Sequence, residues 1–411
     1  MGRGQLPDSA PRRVLLVTHR PIDYGGGGSV RWRHLSRALP ELGWEVATVT
    51  GRSNPTGDEA STNPQRARLA AARARVMNGA GGVLRPAFQR AGLQPEAFAP
   101  NVVWSLTGRR AIARAITRER PDVVWATAPP QSAIFAAVGI ARDAGVPVVA
   151  ELRDLWAGNP FFDAGGRLLQ RAEAPSLRGA DAVVTVTPGC QSTLERLHPG
   201  LSVHLIHNGF DPSLPPLRHP RPAGDGGRRA TLIHAGMLYG DRSAAPLVRA
   251  LARPGLHDRV RLELIGALDP ATYQAIRSAE RSLHVASVPP VSWPEAIDRV
   301  LAADISVVIN SAGTGGAMAL PSKLYEALAL GLPVLAMTPP GSDTERLLRV
   351  LGQDGGVAPP DDEGAIATAV TRLLESPPPP VAAELLSDFD RDVVAKRVAD
   401  LLNRLANRAV E

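Results

Sequence analysis

The chain has 411 residues, a formal net charge of +6 and a single cysteine. This length exceeds one ordinary hydrophobic core and predicts two domains of roughly 200 residues each. One cysteine excludes an intrachain disulfide, no clustered Cys/His spacing indicates a metal site, and no apolar run reaches the ~18 to 20 residues of a membrane span. Residues 1–13 lack the apolar segment of a signal peptide, so we expect a cytoplasmic protein.

The basic excess lies in the first half of the chain. Residues 1–213 hold 25 arginines against 17 acids, and the remainder holds 21 basic and 23 acidic residues. The densest part, Ala60–Ala91, has six arginines and no acid. It suits a solvated helix face or a contact with anionic lipid or an anionic acceptor. No nucleic acid is expected, because no binding motif or interleaved aromatic residue accompanies the charge.

The first half reads as a doubly wound α/β domain. Arg13–Thr18 is an apolar run typical of a buried parallel strand, and the glycine-rich stretch Tyr24–Ser29 and a helical pattern follow it. Gly27 and Gly28 would let backbone N–H groups approach a phosphate closely. Further strands are predicted at 43–50, 122–127, 147–152, 181–187 and 203–206, and a helix is predicted at 131–144.

Arg153 and Asp154 directly follow the strand predicted at 147–152. Ligands of open parallel sheets gather at the carboxyl ends of strands, so these two residues are candidate site residues. The alternative is that both are satisfied structural polar groups.

A proline-, glycine- and arginine-rich stretch, 212–229, is typical of a linker. We therefore predict a first domain over 1–212, a second over 213–383 and an amphipathic terminal helix within 384–411. The second domain is predicted to contain strands at 230–236, 261–266 and 304–309 and a helix at 245–251.

The stretch Pro321–Val334 carries the strongest functional pattern. Pro321 and Ser322 suit the N1 and N-cap positions of a helix whose apolar residues recur at helical spacing, and Gly331 to Pro333 end it before a buried strand. A helix start attracts phosphate, and Lys323 adds a full charge there. Lysine occurs only at Lys323 and Lys396, which indicates a compact point charge at this site. The alternative is an ordinary buried helix start.

The stretch resembles the donor-binding element of family 4 glycosyltransferases, and the resemblance runs in order along nearly the whole chain. Glu326 matches the second glutamate of the family's paired glutamates, whereas Met318 stands at the first. Met237 stands where relatives carry an arginine after the glycine here numbered Gly236, and Arg242 takes the place of a diphosphate-clamping lysine.

The resemblance implies the glycosyltransferase B fold: two doubly wound Rossmann-like domains that face each other across a cleft, with the terminal helix crossing back onto the first domain. It also implies sugar transfer, with retention of configuration, from a nucleotide sugar to an acceptor hydroxyl of a glycan, lipid-linked or natural-product molecule. Lys323, Arg242 and the helix start at Ser322 would stabilise the leaving diphosphate, and Glu326 would hold the ribose.

The remaining candidates would serve the same reaction from the first domain. Gly27 and Gly28 would approach the diphosphate or the acceptor, and Arg153 and Asp154 would orient hydroxyls, although relatives often carry a histidine near Arg153. No metal or other cofactor is expected beside the nucleotide sugar, and the basic segment suggests peripheral contact with an anionic membrane. Two alternatives remain: a non-catalytic nucleotide-sugar binder paired with a transferase, and a sugar-nucleotide epimerase of the same fold.

Overall fold

The computed structural model describes residues 11–19, 22, 27–50, 95–159, 166–215, 228–238 and 240–408. The basic segment predicted at Ala60–Ala91 lies outside these ranges. The described residues form two compact units. The first lies within Met1–Val186, Cys190–Ile206 and Val394–Glu411, and the second comprises Thr187–Gly189 and His207–Val393.

The first unit contains a six-stranded parallel sheet in the order β2-β1-β3-β4-β5-β6. Its strands are almost continuous apolar runs because helices cover both faces of a parallel sheet. β3, for example, is buried at every position. Its strands, in chain order, are β1 Arg12–Thr18, β2 Trp44–Thr50, β3 Val123–Ala128, β4 Val148–Leu152, β5 Ala182–Thr185 and β6 Val203–Leu205. The helices of this part of the chain are α1 Gly27–Ala38, α2 Pro95–Glu119, α3 Ser132–Asp143, α4 Gly166–Arg178 and α5 Pro188–Leu197.

The second unit repeats this plan, with a six-stranded parallel sheet in the order β12-β11-β10-β7-β8-β9. Its strands are β7 Ala230–Ala235, β8 Val260–Ile265, β9 Val285–Val288, β10 Ile305–Ile309, β11 Val334–Met337 and β12 Val357–Ala358. Its helices are α6 Ala245–Leu251, α7 Pro270–Ala279, α8 Trp293–Ala302, α9 Thr314–Ala317, α10 Ser322–Ala329, α11 Asp343–Val350, α12 Glu363–Glu375 and α13 Ala383–Leu386. The prediction of two Rossmann-like α/β domains is confirmed.

The last helix, α14, runs from Arg391 to Arg408. The helix predicted from residue 384 is interrupted: α13 covers its start, and α14 begins only at Arg391 because the backbone between them pairs elsewhere. Phe210 N–H donates to the carbonyl of Phe389 (2.9 Å), and Arg391 N–H donates to that of Phe210 (3.2 Å). From Val394 onward, apolar side chains of α14 pack in the core of the first unit. Within the described ranges, no helix is long and apolar enough to cross a membrane.

In each sheet the strand order reverses direction at one point. β1 lies beside both β2 and β3 in the first unit, and β7 lies beside both β8 and β10 in the second. Connections diverge to opposite faces at such a point, which leaves a crevice outside the carboxyl ends of the strands. In the second unit the residues that follow β7 and β10 therefore border the position where such a fold binds a ligand.

Candidate functional site

The helix α10 begins beside that crevice. Pro321 is its N-cap residue, with ψ of 145°, and Ser322 is its first helical residue. The predicted order of cap and first position is therefore reversed, because an extended ψ places Pro321 outside the helix. Neither residue supplies a side-chain cap for the first turn. Backbone N–H groups at this helix start thus remain suited to an anion.

Lys323 reaches from α10 to the end of β7. Its Nζ lies 3.4 Å from Nε2 of His234, and His234 Nδ1 lies 3.0 Å from the carbonyl oxygen of Val307 on the adjacent strand β10. Gly236, with φ of 155°, follows β7, and a Cβ there would collide with Nζ of Lys323. The absence of a side chain at Gly236 therefore makes room for the ammonium group.

The electrostatics of this group are unusual for a lysine. Burial lowers the pKa of Lys323 to about 8, the charge of Arg242 lowers it as well, and the charge of Glu326 opposes both. The pKa of His234 lies well below its ordinary value because of burial and the Lys323 charge. A lysine pKa near 8 beside another cation marks a place where an anion would be stabilised strongly.

Arg242 lies in the segment between β7 and α6 and is half-buried. Asp241, the residue before Arg242, accepts a hydrogen bond from Oγ of Ser311 at 2.6 Å. Ser311 lies just after β10. The connection after β7 is thereby tied to the connection after β10. Met237, at the position where the resemblance implies an arginine, is 59% exposed.

Glu326 lies one turn after Ser322 on α10. Its Oε1 lies 3.4 Å from Nη2 of Arg391 and 3.4 Å from Nε1 of Trp293. Arg391 is buried, and its Nη1 lies 3.4 Å from Oδ2 of Asp211. These contacts orient the carboxylate of Glu326 and leave Oε2 without a hydrogen-bond partner among the described residues.

Arg153 and Asp154, two predicted site residues of the first unit, directly follow β4. Nε of Arg153 donates to the carbonyl of Ala128 at the end of β3, 3.1 Å away. Glu151, fully buried in β4, pairs with Nε of Arg31 (2.9 Å) and accepts from Nε1 of Trp32 (2.8 Å). Burial by itself would raise the pKa of Glu151, but the charges of Arg31 and Arg153 bring it below its ordinary value.

Asp154 is exposed, and Gly27 and Gly28 form the first turn of α1. The structure thus brings Lys323, Arg242, Gly236 and Glu326 into one region of the second unit. Ser322 lies with them at the start of α10, and the other predicted residues, Arg153, Asp154, Gly27 and Gly28, belong to the first unit, at the carboxyl end of β4 and the start of α1.

Comparison with protein families decides the identity of the chain. Residues 25–214 match the family described as Glycosyltransferase Family 4, and residues 229–376 match Glycosyl transferases group 1. The chain is a family 4-type glycosyltransferase. The resemblance stated from the sequence is confirmed, and the individual residue roles remain predictions.

Solved structures place this glycosyltransferase in the glycosyltransferase B fold. Sucrose-phosphate synthase from Thermosynechococcus elongatus matches with a TM-score of 0.66 and 15% identity, over 96% of this chain and 99% of that one. Anabaena HepE in complex with UDP and glucose matches with a TM-score of 0.59 and 16% identity, over 95% and 99%. The S. aureus MnaA–UDP co-structure matches with a TM-score of 0.53 and 12% identity, over 97% and 98%. No curated protein sequence matches significantly.

Three residues that contact the candidate site residues were missed from the sequence: His234, Trp293 and Arg391. His234 lies in a mostly apolar strand, and a buried polar residue in such a run is a signal that could have indicated a partner. Arg391 gave no such signal, because its partners are remote in sequence. Within the described residues, no group of three or more His, Cys, Asp or Glu side chains is placed to hold a metal ion.

Proposed function

We propose that this glycosyltransferase moves a sugar from a nucleotide diphosphate sugar to an acceptor hydroxyl with retention of configuration. One observation carries the proposal. The ammonium of Lys323 lies over Gly236 at the end of β7, and the charge of Arg242 is close to it. Lys323 itself belongs to the first turn of α10, whose start has no side-chain cap. Such a cluster suits the diphosphate, which gains negative charge as the sugar leaves.

In the proposed reaction the bond between the sugar's anomeric carbon and the diphosphate oxygen breaks, and its electron pair stays with the diphosphate. The acceptor oxygen forms a new bond to the same carbon on the same face, and its proton passes to the departing phosphate. Lys323 and Arg242 neutralise the leaving group, so the protein needs no obligatory metal. Glu326 holds the paired hydroxyls of the ribose through its open Oε2.

Arg153 and Asp154 are proposed to orient hydroxyls of the acceptor or the donor sugar, and Gly27 and Gly28 to let α1 approach a phosphate or the acceptor. The link of Arg153 to Ala128, the field of Glu151 and the exposure of Asp154 support this assignment. Arg153 would give a fixed cation and Asp154 an accessible carboxylate.

A uridine diphosphate sugar is the first donor to test, because HepE was solved with UDP and glucose and MnaA with UDP. The experiment incubates the protein with a panel of nucleotide sugars and hydroxyl acceptors and measures release of free nucleoside diphosphate. NMR of the product then gives its anomeric configuration. Binding of a donor without acceptor-dependent release would favour a non-catalytic role, and inversion of configuration would overturn the proposed mechanism.

We also propose that the enzyme acts in the cytoplasm and contacts an anionic membrane through the arginines of Ala60–Ala91. Each arginine near an anionic bilayer contributes about 1 kcal/mol. Flotation with phosphatidylglycerol vesicles tests this contact. Salt-sensitive binding that is lost when Arg66, Arg68, Arg73 and Arg75 become glutamine would support it. Failure to bind at low salt would reject it.

A further inference from the structure

His234 is the polar residue that faces Lys323 from within the core of the second unit. It is 1% exposed and lies in β7, between the strands β8 and β10. Its Nδ1 lies 3.0 Å from the carbonyl oxygen of Val307. A carbonyl oxygen only accepts hydrogen bonds, so Nδ1 carries the hydrogen in the neutral ring. The backbone of β10 therefore selects the tautomer of His234.

This tautomer leaves a lone pair on Nε2, the atom that lies 3.4 Å from Nζ of Lys323. The ammonium can only donate, and Nε2 can only accept. Burial and the Lys323 charge hold the pKa of His234 well below its ordinary value, so the ring stays neutral beside the cation. The other charged groups that act on Lys323 are Arg242, which repels it, and Glu326, which attracts it.

A lysine side chain is flexible and has no fixed direction of its own. The ammonium of Lys323 nevertheless lies next to Gly236, where the like charge of Arg242 repels it. Nε2 of His234 supplies a hydrogen-bond acceptor for the ammonium in this position. Loss of the acceptor would free the side chain to turn toward Glu326. The position of the cation thus depends on a residue that a ligand at this site need not touch.

Resting on the proposed function, we propose that His234 is a positioning residue that holds the Lys323 ammonium over Gly236, where the donor's diphosphate is to bind. The imidazole does not take part in proton transfer. It acts as a neutral acceptor, in the way that outer-shell partners orient groups that contact a ligand.

Two substitutions separate the functions of the two ring nitrogens. His234→Gln places an amide oxygen near the position of Nε2 and keeps an acceptor for Lys323, whereas His234→Asn keeps a donor near Nδ1 for Val307 but not that acceptor. His234→Leu removes both and serves as a second acceptor-free variant if His234→Asn does not fold. Circular dichroism and thermal unfolding establish which variants are folded.

The affinity readout is calorimetry with whichever of UDP, GDP and ADP binds the wild type most tightly. We expect His234→Asn to weaken binding about 10-fold and His234→Gln to stay within about 3-fold of the wild type. In a Lys323→Gln background, His234→Asn should have no further effect, because the cation it positions is gone. A purely structural role would weaken binding equally in both backgrounds.

Lysine NMR gives a second readout that is independent of ligand. The chain has two lysines, so ¹³C labelling at lysine Cε gives two signals, and Lys396→Arg assigns them. The Lys323 signal should move in free His234→Asn and stay near its wild-type position in His234→Gln.

Unchanged affinity in folded His234→Asn, equal losses in the two backgrounds, or no rescue by glutamine would each overturn the inference. A different result tests the proposed function itself. If Lys323→Gln leaves nucleotide affinity unchanged, the donor site does not lie at Lys323, and both the proposal and this inference are rejected.

Discussion

Nη2 of Arg391 lies 3.4 Å from Oε1 of Glu326 in the second unit. Arg391 is the first residue of the last helix and is only 5% exposed, and its Nη1 also faces Asp211 at 3.4 Å. The guanidinium thus fixes one oxygen of Glu326 and leaves the other open. A carboxylate held in this way is organised for hydroxyl groups of a ligand before the ligand arrives.

We expect Glu326→Gln to weaken nucleotide binding by roughly 10 to 150-fold, because charge-assisted hydrogen bonds contribute about 1.5 to 3 kcal/mol. Isothermal titration calorimetry with the nucleoside diphosphate measures the effect. Glu375→Gln is the matched control, since Glu375 pairs with Arg259 on the exposed surface of the same unit. Equal affinities of the two variants would contradict the assigned role of Glu326.

Gly236→Ala should both destabilise the second unit and weaken nucleotide binding. The new Cβ would collide with Nζ of Lys323, and φ of 155° is unfavourable for alanine. Such strain typically costs about 1–3 kcal/mol. Gly255→Ala is the control: its φ is 88°, but nothing lies within 4 Å of the added carbon. Thermal unfolding and calorimetry should show that Gly255→Ala is less stable than the wild type but binds nucleotide equally well. An unchanged nucleotide affinity in Gly236→Ala would argue against the proposed placement of the diphosphate.

Nucleotide affinity should fall as the pH rises through about 8, the pKa to which burial and Arg242 lower Lys323. The bound diphosphate requires the protonated lysine, so affinity should fall about 10-fold between pH 7 and pH 9. In Lys323→Arg this dependence should disappear, because an arginine stays protonated across that range. A wild-type affinity that is flat with pH would show that Lys323 does not supply the charge.

A second titratable group should affect stability rather than binding. Burial raises the pKa of Glu173 to about 8, although the hydrogen bond that Ala157 N–H donates to its Oε2 acts in the opposite direction. The other carboxyl oxygen, Oε1, lies 2.9 Å from Nε2 of His198. The folded state therefore holds a proton that the unfolded state loses near 4.5. The contribution of Glu173 to the free energy of unfolding is therefore complete at low pH and is lost as the pH rises to about 8. The free energy of unfolding falls by at most about 1.4 kcal/mol per pH unit over this interval.

Glu173→Gln, which keeps the shape but cannot ionise, should remove this loss of stability between pH 5 and pH 8. Urea unfolding at several pH values gives the comparison, with Glu375→Gln as the variant that should retain the wild-type dependence. If Glu173→Gln and the wild type show the same slope, Glu173 is already ionised in the folded protein.

Turnover should persist in the presence of EDTA, because the cations Lys323 and Arg242 can neutralise the leaving diphosphate themselves. The measurement is nucleoside diphosphate release with and without chelator, followed by addition of Mg²⁺ or Mn²⁺. Complete loss of turnover that a metal restores would contradict the metal-independent mechanism.

The sequence alone determined much of the fold because burial on both faces of a parallel sheet leaves a local, readable pattern. The strand predicted at 230–236 is observed at Ala230–Ala235, and the helix predicted at 245–251 is observed at those residues. The helix that carries Lys323 and Glu326 was likewise readable from apolar spacing and from the stop at Gly331 to Pro333. These features depend on neighbours within a few residues along the chain.

The partners of the site residues were decided only by the tertiary structure. His234 and Lys323 are 89 residues apart, Arg391 and Glu326 are 65 apart, and Arg391 and Asp211 are 180 apart. The first pair depends on which strands are adjacent and the other two on where α14 begins, and side-chain periodicity encodes neither. The helix predicted from residue 384 is divided into α13 and α14, and the long-range backbone pairing of Phe210 with residues 389–391 lies at the break, just before and at the start of α14.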